Sequence, residues 1–86
     1  MISDIERRKR SQIQIDRIGA AITNNWPGLT VVFDKAPVEN TLRFYVETQD
    51  HVRVIETSGH LALDQLEQWT DEQLRDALKS LAGGRL

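Results

Sequence analysis

The chain has 86 residues, a formal charge of −2, 40% hydrophobic and 28% charged residues, and no cysteine. A chain this short buries only about 60–65% of its unfolded surface, which leaves little room for a deep catalytic cleft. No run approaches the roughly 18 apolar residues a membrane span needs, the acidic balance argues against a general polyanion binder, and the missing cysteines exclude disulfides and thiolate chemistry.

One small domain over residues 1–86 is expected, with no repeat or linker. Residues 1–10 can protrude or fray, and 84–86 form a flexible tail. The N-terminus turns basic after Met-Ile-Ser-Asp-Ile-Glu with no apolar stretch behind it, so a cytoplasmic protein is expected. Charge is mildly uneven: residues 1–53 carry eight Lys/Arg against seven Asp/Glu, and 54–86 carry three against six.

The first element is a helix with two candidate starts, Ser3 with Glu6 and Ser11 with Gln14, each a capping-box spacing. At helical pitch Ile15, Ile18, Ile22 and Trp26 share one stripe, which earlier turns fill with Arg8, Ser11 and Gln12, so only the second half has a core face. The helix should stop at Asn24-Asn25-Trp26-Pro27-Gly28. Strands follow at about 29–34, 41–48 and 52–57, each rich in β-branched and aromatic residues. A three-residue loop, Gln49-Asp50-His51, would pair Tyr45 with Ile55, Val46 with Val54 and Glu47 with Arg53. Residues 61–69 read as a short helical turn carrying Leu63 and Leu66. The last helix should run from 71 to about 82, with Thr70 as N-cap, Gln73 closing the box, and Gly83 just past the end.

This order predicts an α+β fold, α-β-β-β-(α)-α, in which a three-stranded antiparallel meander has its helices packed on one face. The expected core is Ile15, Ile18, Ile22, Leu29, Val31, Phe33, Leu42, Phe44, Val46, Val52, Val54, Leu74, Leu78 and Leu81. Double-stranded-RNA-binding domains share the element order, but their basic start of the last helix is replaced here by Thr70-Asp71-Glu72-Gln73, so the likeness ends at topology.

Alternation along the strands sends Val32, Tyr45 and Ile55 to the uncovered face, with Arg43 and Arg53 beside them. Aromatic and aliphatic groups framed by arginine are what anchor protein interfaces. The functional expectation is therefore a small non-enzymatic binding or regulatory protein, of adaptor or inhibitor type, docking on another protein or on a second copy of itself. It calls for no cofactor, no metal, no membrane and no small-molecule substrate. An alternative uses Arg7, Arg8, Lys9, Arg10 and Arg17 of the first helix against nucleic acid or an acidic partner, although Glu6 and Arg10 are also spaced to pair on their own helix. A third reading is a metal-dependent nuclease built on Asp34 and Glu47, which lacks the lysine such sites use. His51 and His60 have no zinc-type spacing and are expected in exposed turns.

Overall fold

A computed structural model describes residues 4–33, 40–56 and 61–84, the side chains of Asp4 and Arg7 excepted. Helix α1 (Asp4–Asn25) begins near the earlier of the two candidate starts. Its 22 residues span about 33 Å, against principal dimensions of 41 × 25 × 19 Å for the molecule. Ile18 and Ile22 are fully buried, whereas Ile5, Arg8 and Lys9 in the first turns are exposed. The Trp26 amide still donates to Ile22 O at 2.8 Å; Gly28, at φ +93°, then turns the chain through a conformation open to glycine and strained for other residues.

Strands β1 (Thr30–Phe33), β3 (Phe44–Glu47) and β4 (Arg53–Glu56) form the expected antiparallel meander in the order β1-β3-β4. The segment expected as one strand over 41–48 is broken at Arg43. Its first part, β2 (Thr41–Leu42), leaves the main sheet and pairs with β5 (Leu61–Ala62), which begins a stretch expected to be helical. The Leu63 amide extends that small ladder by donating to Asn40 O at 2.8 Å. Phe44 and Val46 point inward and Tyr45 outward, in regular alternation.

The register of the hairpin departs from expectation at one point. The loop closes as expected, with Thr48 N donating to Val52 O at 2.9 Å and His51 N to Thr48 O at 3.0 Å. His51 sits at φ +63°, the left-handed residue that follows the turn in three-residue hairpins. Glu47 opposes Arg53 as expected, but the register then shifts, so that Val46 opposes Ile55 and Tyr45 opposes Glu56. The extra residue is Val54. A bulge turns two consecutive residues of one strand toward the same side, and Val54 and Ile55 are both buried while Arg53 and Glu56 are exposed. Strict alternation would have left Ile55 or Val54 in water, and burying a residue of this size is worth about 1.5–3 kcal/mol.

Helix α2 (Leu63–Gln68) buries Leu63 and Leu66. Helix α3 (Asp71–Leu81) has both halves of the expected capping box: Gln73 N donates to Thr70 Oγ1 at 3.1 Å and Thr70 N to Gln73 Oε1 at 2.9 Å. Gly83 lies just past its end at φ +60°.

The core lies between the helices and one face of the sheet. It comprises Ile18, Ile22, Leu42, Phe44, Val46, Val54, Ile55, Leu63, Leu66, Leu74, Leu78 and Ala82. Ile15, Leu29, Val31 and Phe33 pack against it half-buried. Two expected members are outside. Val52 is 58% exposed because the turn ends there before the strand begins, and Leu81 is 40% exposed because the buried stripe of α3 runs Leu74, Leu78, Ala82.

Candidate protein-docking face

The side of the sheet away from the helices is uncovered among the described residues, and register decides which side chains occupy it. One row across the strands is Val32, Tyr45 and Glu56; the next is Thr30, Glu47 and Arg53. Val32, Tyr45 and Glu47 are half-buried and Thr30, Arg53 and Glu56 exposed. Ile55, expected here, is 0% exposed and belongs to the core, so Glu56 takes the place beside Tyr45. The signal for this was present: two adjacent apolar residues between two charged ones, Arg53-Val54-Ile55-Glu56, fit a bulge better than an alternating strand.

The face is ordered by interactions local to the hairpin. The Arg53 guanidinium carbon lies over the Tyr45 ring, 4.1 Å from its centroid, and Arg53 Nη1 donates to Glu56 Oε1 at 2.9 Å. A guanidinium stacked on tyrosine while paired with a carboxylate holds both planes in one orientation. Glu47 Oε1 lies 3.2 Å from His51 Nδ1. Arg43, at the break between β2 and β3 and two residues before Tyr45, is exposed.

The basic residues of α1 divide differently. Arg10 does not hold its charge out to solvent: its Nη2 donates to Asp64 Oδ1 at 2.7 Å and to Glu67 Oε1, and its Nε to Glu67 Oε2 at 3.2 Å. Through these bonds the pKa of Arg10 is raised, Glu67 first and Asp64 second, and the hydrogen bond from Arg10 holds the Glu67 carboxyl below its usual range.

Arg17 donates from Nη1 to Leu66 O at 2.8 Å and from Nη2 to Trp69 O at 2.7 Å. These carbonyls lie in the last turn and at the C-cap of α2, where a cation is favoured; Leu66 O also accepts from the Trp69 amide at 3.3 Å. Arg17 also reaches Asp71 Oδ1 at 3.1 Å and the Oε1 of buried Gln14 at 2.9 Å. One fork thus joins α1 to the corner between α2 and α3. Arg8 and Lys9 remain exposed, and the side chain of Arg7 lies outside the described residues.

Asp34 and His60 also lie outside the described residues. Among those described, no group of three His, Asp or Glu side chains could hold a metal ion, and no helix is long and apolar enough to cross a membrane. Two open clefts run between α1 and α3. One of about 390 Å³ is lined by Asn25, Trp26, Arg75, Asp76 and Lys79; one of about 170 Å³ is lined by Arg17, Ala20, Ala21, Asn24 and Asp71. Neither brings a nucleophile together with a base. Comparison with protein-family models, curated proteins and solved structures yields no match.

Proposed function

We propose that this chain is a small non-enzymatic binding protein, of adaptor or inhibitor type, that docks on another protein through the open side of its main sheet. The observation that carries this reading is the half-exposed Tyr45 ring with Val32 across from it on β1 and Arg53 stacked on it at 4.1 Å. An aromatic surface already held in place loses little conformational freedom on binding. The partner surface that fits is an apolar knob flanked by a carboxylate: the knob sits against Val32 and Tyr45, and the carboxylate meets Arg43 at the margin. Ile55 has no part in this contact. The basic residues of α1 are a poorer basis, because Arg10 and Arg17 already serve carboxylates and carbonyls of their own chain.

A photo-crosslinking residue at Thr30, on the rim of this face, tests the reading in the protein's own cell extract. A discrete crosslinked protein other than a second copy of this chain is expected, absent when Tyr45→Ala or Arg43→Glu is added and absent when the same group is placed at Glu72 on α3. An identical product from the Tyr45→Ala chain, or from position 72, would overturn it. A product digested by nuclease would move the function to nucleic acid.

A further inference from the structure

The two edges of the main sheet are built in opposite ways. Edge β4 carries a charge at each end, Arg53 and Glu56, and is bent by the bulge at Val54. Charges and bulges are the usual devices that stop a sheet from adding strands. Edge β1 reads Thr-Val-Val-Phe, with no charge, no proline and an unbroken register to β3. Among the described residues, no strand pairs with its outer side.

The core is also less complete at this edge. Phe44, Val46, Val54 and Ile55, on β3 and β4, are buried, whereas Leu29, Val31 and Phe33, on and just before β1, pack against the same core half-buried.

We propose that β1 is a self-association edge, pairing antiparallel with β1 of a second copy of this chain. A second copy is the occupant that fits because the edge is uncharged and an identical strand brings no like-charge opposition to it. The same pairing would cover apolar groups that one copy leaves half-exposed. A two-fold axis perpendicular to the sheet continues it from three strands to six, and each side chain keeps its face only if residues of equal parity oppose one another. That leaves two registers centred on the strand: Val32 opposite Val32 of the second copy, or Val31 opposite Val31 with Thr30 opposite Val32. Pairing Val31 with Val32 is excluded, since it would set a core-facing side chain against an outward one.

Four residues of edge supply only a few hydrogen bonds, so the contact falls among small, weak interfaces and the pairing is concentration-dependent. Both copies of the Tyr45 face would then lie on the same side of one sheet. The edge and the docking face share Thr30 and Val32, but the test below reads self-association of the purified chain alone, and Tyr45→Ala, on β3, should leave that association unchanged.

Sedimentation of the unmodified chain from micromolar to millimolar concentration should show a monomer–dimer equilibrium. Val32→Lys should weaken it at least about tenfold by opposing like charges at the axis, and so should Val32→Glu. Mixing the two variants should restore dimers, which a merely unfolded variant could not do; Thr30→Lys, at an exposed position, serves as a second disruptor. Because the chain has no cysteine, Val32→Cys alone, or mixed with Thr30→Cys in the second register, should form an intermolecular disulfide under mild oxidation, and Arg53→Cys on the opposite edge should not. A chain that stays monomeric at every concentration, dimers unchanged by Val32→Lys, or equal crosslinking from position 53 would overturn the proposal.

Discussion

The helix-covered and open sides of the sheet are held by different kinds of interaction. On the covered side the arginines of α1 reach residues far apart in sequence: Arg10 to Asp64 and Glu67, and Arg17 to Leu66, Trp69 and Asp71. On the open side, the polar contacts among the described residues are short-range: Arg53 with Glu56, Glu47 with His51, and Arg53 over Tyr45 eight residues earlier. The covered side therefore depends on the whole fold being in place, while the open side is largely organised by one hairpin. Side chains on the open side can therefore change with little effect on folding.

The widest contrast is between neighbours on opposite faces. Ile55→Ala should cost about 2–5 kcal/mol in denaturant unfolding, because it leaves a cavity in the core. Tyr45→Ala should cost under about 1 kcal/mol and act mainly on partner binding. Equal losses for the two would erase the distinction between the sides.

Next is Arg17→Ala, expected to cost about 1–3 kcal/mol by leaving the Leu66 and Trp69 carbonyls without their charged donor. Arg17→Lys should recover only part of this, since an ammonium cannot reproduce the planar fork. Full recovery by lysine would reduce Arg17 to a point charge.

The smallest effect is a pH dependence. The Glu67 carboxyl is held below its usual range by the hydrogen bond from Arg10, so more protons are bound unfolded than folded as pH falls. The stabilisation is complete above the ordinary carboxylate pKa of about 4.3 and is lost as pH drops through the lowered folded value. Glu67→Gln should lower the neutral-pH thermal midpoint slightly and shrink the acid-induced fall by a matching small amount, because an exposed pair is screened by water. An unchanged acid profile in Glu67→Gln would assign that fall to other carboxylates.

Each feature legible in the residues rests on neighbours a few positions apart. The Thr70–Gln73 box, the stop at Gly83, the Ile15, Ile18 and Ile22 stripe and the three-residue loop are of this kind, and all are present. On the open side of the sheet, two-residue alternation sets Val32 and Tyr45 on one face, and the register places them opposite each other.

Alternation failed at Val54, where adding one residue let both Val54 and Ile55 enter the core; it thereby sent Ile55 inward and brought Glu56 to Tyr45. The split at Arg43, which gives Leu42 to a second sheet, and the guanidinium partners of Arg10 and Arg17 have no comparable local signal. In each of these the chain chose between arrangements that are locally comparable. What separated them was how much apolar surface and how many backbone carbonyls found cover once residues about 20 to 60 positions apart were brought together, and that sum exists only in the assembled fold.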